Sequence, residues 1–172
     1  MEAGVRRLIL GGEKSGKSDH ALALLHKAPG PALLIATAQT LDHGFRERIM
    51  RHRVERGPEI PVREVTLDLP EALAQAAGHY TTILVEGLDY WLYACAQADC
   101  INEREQALLN AVDSLGETGA IFVSCETGLG PVAATREVRA FVRGMGQLNR
   151  RLAERCSEVV LVVAGRPLRL SE

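Results

Sequence analysis

A mostly parallel, doubly wound α/β sheet with helices on both faces is the fold this sequence predicts. Three observations carry it. Apolar runs alternate with helical patterns along the whole chain, the order that builds crossover connections. Most of the longer runs are apolar on both alternations, as strands covered on both faces are. The first run, VRRLIL, leads directly into a glycine-rich stretch, GGEKSGKS.

In chain order, strands are predicted at Val5–Leu10, Ala32–Ala36, Thr82–Glu86, Ala120–Cys125 and Val159–Ala164. A short, weaker strand covers Val62–Thr66, and Leu168–Leu170 forms a last edge strand. Helical patterns fall between them. Ser18–His26 follows the glycine-rich stretch, and Gly44–Glu55 is charged and amphipathic. Pro70–Ala77 opens on a proline, a good first-turn residue. Glu103–Leu115 places Ala107, Leu108, Ala111, Val112 and Leu115 at helical spacing. Val138–Cys156 is long, with Gly144 and Gly146 as the points where it would bend or break. RGPEIP, Arg56 to Pro61, reads as a loop because two prolines and a glycine bar regular structure.

The 172 residues read as one domain, 1–172, long enough for a sizeable core without disulfides or metals. A formal charge of −2 argues against nucleic-acid binding through bulk charge. Cys95, Cys100, Cys125 and Cys156 form no C-x-x-C pair, which argues against a zinc site and for reduced thiols. No run approaches membrane-spanning length and no signal peptide is seen, so the expectation is a cytoplasmic protein.

GGEKSGKS has the spacing G-x-x-x-x-G-K-S, the P-loop pattern, between a strand and a helix. Gly11 and Gly16 allow tight turns and close backbone approach. The amides of Gly12, Glu13, Lys14, Ser15 and Gly16, with the helix N-terminus behind them, make an anion cradle. Lys17 is expected on the β- and γ-phosphates and Ser18 on Mg²⁺. Proteins with such a loop usually carry an acidic residue at the end of a nearby strand, and TTILVEG offers Glu86 to the metal or its water. A turn that binds nothing and a solvent-facing acid are the plain alternatives. Thr37, Ala38 and Gln39 end a strand at the rim where open α/β sheets bind ligands.

Read as a set, these segments resemble the bifunctional adenosylcobinamide kinase / adenosylcobinamide-phosphate guanylyltransferases of cobalamin biosynthesis. GGEKSGKS stands where that family has G-G-x-R-S-G-K-S, with Lys14 as the basic residue. LLIATAQ looks like its second strand, and RERIMRHRVERGP, Arg46 to Pro58, like its R-I-x-x-H-x-x-x-R segment. ILVEGLDYWL matches its acidic strand end and the helix after it. VSCETGLGPV and RAFVRGMGQLNRRLAERCSEVVLVVAGRPL resemble its E-x-G-x-G and R-x-F-R-D-x-x-G-x-x-N-x-x-L-A stretches and a terminal strand ending G-x-P.

The resemblance implies a P-loop NTPase-like fold and two reactions. ATP or GTP phosphorylates the aminopropanol arm of adenosylcobinamide. GTP then loses pyrophosphate, its GMP is held on a histidine, and the GMP passes to the cobinamide phosphate to give adenosyl-GDP-cobinamide. By alignment the histidine is His52. On a helix Arg48, His52 and Arg56 share one face. Neighbouring cations keep the imidazole neutral, as a nucleophile must be, and offset charge on the transferring group. A solvated basic face with an incidental histidine is the alternative. The resemblance also implies nucleotide contacts at Glu64, Arg56 and Gly57, and a homo-oligomer, with a trimer expected.

Several positions depart from the family pattern. Cys125 replaces an asparagine, and Gly87, Leu88 and Asp89 stand where C-x-T is usual. Ala94 replaces another asparagine, Val132–Thr135 differ after the glycines, and Gly144 stands at the place of an aspartate. They leave the P-loop and the His52 segment intact and bear on the acceptor. A P-loop kinase of another small metabolite, and a divergent nucleotide-binding module, therefore stand as rival readings. A switch GTPase fits poorly, since no N-K-x-D stretch is present to read guanine.

Overall fold

The computed structural model describes residues 4–37, 60–132 and 134–170. Seven strands form one sheet in the order β3-β2-β4-β5-β1-β6-β7. The strands are β1 (Arg6–Gly11), β2 (Ala32–Thr37), β3 (Val62–Val65), β4 (Thr82–Glu86), β5 (Gly119–Cys125), β6 (Glu158–Val163) and β7 (Arg166–Arg169). All pairings are parallel except β6 with β7. The five helices among the described residues are α1 (Lys17–His26), α2 (Leu69–Ala76), α3 (Leu88–Gln97), α4 (Ile101–Asp113) and α5 (Arg136–Ala153).

Helices cover both faces, as the double alternation of apolar residues requires. Leu8 and Leu10 of β1 turn toward the larger core, built with Leu69 and Leu73 of α2, Trp91 of α3, Leu108 of α4 and Met145 and Leu148 of α5. Ile9 turns the other way, toward Ala21, Leu22 and Leu25 of α1. The chain moves outward from β1 to β2 and β3, then returns through β4 and β5 and passes β1 to reach β6. That reversal beside β1 opens a crevice at the carboxyl ends of the strands, where such sheets bind ligands.

Every predicted strand is present, with ends shifted by a residue or two. The last one begins at Arg166, because Ala164 (φ 50°) and Gly165 (φ 73°) make a two-residue turn that folds β7 back on β6. Two helical expectations need correction. α5 begins earlier than Val138: the Thr135 hydroxyl caps it by accepting from the Val138 amide at 3.3 Å. It also runs unbroken through Gly144 and Gly146, because Met145, Leu148 and Leu152 are buried along one stripe and hold the helix down. α3, the helix that the resemblance implies after Glu86, follows Gly87 (φ 90°), whose left-handed backbone ends β4 and turns the chain. The predicted helix Gly44–Glu55 lies outside the described residues. No described helix is long and apolar enough to cross a membrane.

Candidate active site

The glycine-rich loop begins at the carboxyl end of β1 and closes on α1, as its spacing predicts. Gly16 takes φ 93° as the residue before the helix, a conformation that favours glycine. Lys14, at φ 54°, is a rarer left-handed residue in the same turn. Lys17 is buried, and its ammonium donates to the Gly12 carbonyl at 3.1 Å. Ser15 is buried as well, and its hydroxyl has no hydrogen-bond partner among the described residues.

The β6–β7 turn supports this loop from outside. The Gly165 amide donates to the Ser15 carbonyl at 2.8 Å. A Cβ at Gly16 would lie 3.2 Å from the Gly165 Cα, so the two glycines permit close packing of two backbones. Gly11 is tighter still: a Cβ there would sit 2.8 Å from the Val162 carbonyl oxygen and 2.3 Å from Ser15 Oγ. The carbonyl belongs to a paired strand and cannot yield cheaply. Gly11→Ala is expected to cost about 2 kcal/mol by overpacking. Thermal melting should show it as a Tm lowered by roughly 4–8 °C, with weakened nucleotide binding. An unchanged melting curve would contradict this packing.

Glu86 ends β4 and is buried, beside Ala36 on one side and Val123 on the other, on the face that α1 covers. It lines one cleft with Glu13, Lys17, Ser18, Asp89, Tyr90 and Cys125. The donor set fits Mg²⁺: a serine hydroxyl and a carboxylate are hard oxygen ligands, and this ion usually takes one or two from protein and the rest from water and phosphate.

Of the predicted site residues, Gly11 to Ser18 and Glu86 thus gather at one rim. Thr37 is at the same rim but buried, and its hydroxyl donates to the Glu86 carbonyl at 3.1 Å and to the Gly87 carbonyl. Its hydroxyl is engaged in tying β2 to the β4–α3 turn. Glu64 is exposed on β3, in register with Ala36, two strands from Glu86 on the same face. Strand spacing puts their backbones about 10 Å apart. Ala38, Gln39, His52, Arg56 and Gly57 lie outside the described residues.

Two features of the rim were not read as functional from sequence. Asn149 of α5 is buried; it accepts from the Ser124 hydroxyl at 2.5 Å and donates to the Cys125 carbonyl at 3.0 Å. A polar residue on the apolar stripe of a helix is the signal that could have found it. The second is a contact between two departures from the family pattern. The Cys125 thiol donates to Asp89 Oδ2 at 3.3 Å. Burial, with the Asp89 carboxylate beside it, pushes this thiol up to about 12, against the opposing pull of the Lys17 ammonium.

The chain matches the family described as cobinamide kinase / cobinamide phosphate guanyltransferase over residues 7–170. It is 37% identical to the bifunctional adenosylcobalamin biosynthesis protein CobP of Pseudomonas aeruginosa, covering 96% of this chain and 97% of that one. It is 34% identical to the corresponding CobU of Salmonella typhimurium, over 92% of this chain and 95% of that one. A solved structure, protein PH0250 of Pyrococcus horikoshii, has the same fold with a TM-score of 0.59, covering 100% of this chain and 88% of that one at 10% identity. Similarity at this level along nearly the entire length decides the lineage: the chain belongs to the cobinamide kinase / cobinamide phosphate guanyltransferase family.

Proposed function

We propose that this protein phosphorylates adenosylcobinamide with ATP or GTP, then transfers GMP from GTP to the resulting phosphate, giving adenosyl-GDP-cobinamide. The observation that carries the reading is the family match over residues 7–170, joined to a phosphate loop whose Lys17 and Ser18 share a cleft with the buried Glu86. In the first step the loop amides and Lys17 hold the β- and γ-phosphates. Ser18 and Glu86 hold Mg²⁺, which when bound neutralises phosphate charge. In the second step His52 attacks the α-phosphorus of GTP, an N–P bond forms, and pyrophosphate leaves. A phosphate oxygen of the acceptor then attacks the same phosphorus and frees the imidazole. Glu64, Ala38, Gln39, Arg56 and Gly57 frame the nucleotide in this reading. Such an enzyme works in the cytoplasm, and the family resemblance supports a homotrimer.

A specific observation supports a second reading. Asp89 and Cys125, both departures from the family pattern, touch each other in this cleft. A kinase of another small alcohol would change its acceptor side in such a place. Product analysis separates the two. With Mg²⁺, GTP and adenosylcobinamide, mass spectrometry is expected to find adenosyl-GDP-cobinamide and released pyrophosphate. A protein that binds GTP yet leaves adenosylcobinamide unmodified would favour the other acceptor.

A further inference from the structure

We propose that Asp89 takes the proton from the acceptor hydroxyl in the phosphorylation step, and that the Cys125 thiol positions it. The inference rests on the kinase reading given above. Phosphoryl transfer from a triphosphate needs a group to orient the attacking oxygen and receive its proton, besides the groups that hold phosphate and metal. The cleft beside the phosphate loop is lined by two carboxylates from the β4–α3 region, Glu86 and Asp89. Glu86 is buried at a strand end, with Ser18 in the same cleft, and suits the metal. Asp89 is half-buried in the first turn of α3, so its carboxylate is open to a substrate.

One oxygen of that carboxylate is already engaged, since Oδ2 accepts the Cys125 thiol proton at 3.3 Å. Burial keeps Cys125 a neutral thiol, pushed up to about 12, so it stands as the donor in this contact. The thiol fixes the carboxylate's rotation and leaves Oδ1 for the incoming alcohol. Cys125 is itself fixed, because Asn149 holds its carbonyl at 3.0 Å and β5 is paired on both sides.

The step balances as follows. The acceptor oxygen attacks the γ-phosphorus, and a new P–O bond forms while the bond to the β-phosphate oxygen breaks. The nucleoside diphosphate leaves with that electron pair. The hydroxyl proton passes to Asp89 Oδ1 and from there to water.

The test compares wild type with Asp89→Asn, Cys125→Ala and Cys125→Ser. Phosphorylation of adenosylcobinamide by ATP and Mg²⁺ is measured beside equilibrium binding of ATP. Asp89→Asn is expected to lower kcat by about 10²-fold or more, with the ATP dissociation constant changed by no more than about twofold. Cys125→Ala is expected to lower kcat by roughly tenfold with little change in acceptor KM, and Cys125→Ser, which keeps a donor, to restore most of that loss. Wild-type rates in Asp89→Asn would overturn the proposal while leaving the kinase reading intact. Absence of phosphorylation by the wild type would overturn both. Should Asp89→Asn bind no ATP, the cysteine variants decide: equal rates in wild type and Cys125→Ala sink the proposal.

Discussion

Lys17→Ala should lower the rate of adenosylcobinamide phosphorylation by about 10³-fold, the scale at which loss of one preorganised charge acts on a transition state. The ammonium is buried beside the loop and donates to the Gly12 carbonyl at 3.1 Å. That bond is a modest one, which an arriving phosphate can replace with a charge-assisted contact. The effect should therefore appear in catalysis and in triphosphate affinity and hardly in stability, with Tm moved by no more than about 4 °C. Lys17→Arg is not expected to rescue, because a planar fork does not fit a cavity shaped for a point charge. Steady-state phosphorylation and calorimetric binding of ATP check both parts. A variant that melts early and recovers full rate on cooling would assign Lys17 to structure instead.

His52→Ala should abolish GMP transfer, on the order of 10⁴-fold or more, because in the proposed mechanism it removes the atom that carries the group. Phosphorylation of adenosylcobinamide should survive it within about threefold, since Lys17, Ser18 and Glu86 are untouched. The two half-reactions therefore separate genetically: Lys17→Ala strikes the first and His52→Ala the second. Assays run separately on adenosylcobinamide and on its phosphate read this directly. Loss of both activities in His52→Ala would mean that the segment shapes the whole nucleotide site.

Much of the fold was legible because its signals are local. Leu8, Ile9 and Leu10 are consecutive and all buried, which only a strand between two layers can achieve. The phosphate loop was legible for the same reason, since the turn, the lysine and the helix start lie within eight consecutive residues. α3 was harder. In ILVEGLDYWL the apolar run of β4 flows into that of the helix, and only the left-handed Gly87 separates the two periods. The start of α5 was misplaced because its first turns are exposed, so the apolar stripe begins after the cap at Thr135.

The site was legible as far as single segments could show it. GGEKSGKS and Glu86 are separated in sequence, yet each announces its place, one by spacing and one by ending a strand. What joins distant segments gave no such sign. The Gly165 amide on the Ser15 carbonyl closes a gap of 150 residues, and the AGRP turn read merely as a strand end. Asp89 and Cys125 stood out only as two separate departures until the parallel pairing of β4 with β5 brought their segments together. Contacts set by strand order leave no periodicity to read.

A protein that moves both a phosphoryl group and GMP must hold the GMP between its two substrates, so the GMP intermediate gives the most direct test. Wild type and His52→Ala are incubated with Mg²⁺ and GTP labelled at the α-phosphate, denatured, and examined for label on protein. The account predicts an acid-labile, alkali-stable adduct on the wild type that passes to adenosylcobinamide phosphate when this is added, and no adduct on the variant. Wild-type protein that binds GTP tightly yet retains no label, or equal labelling of the variant, would contradict it.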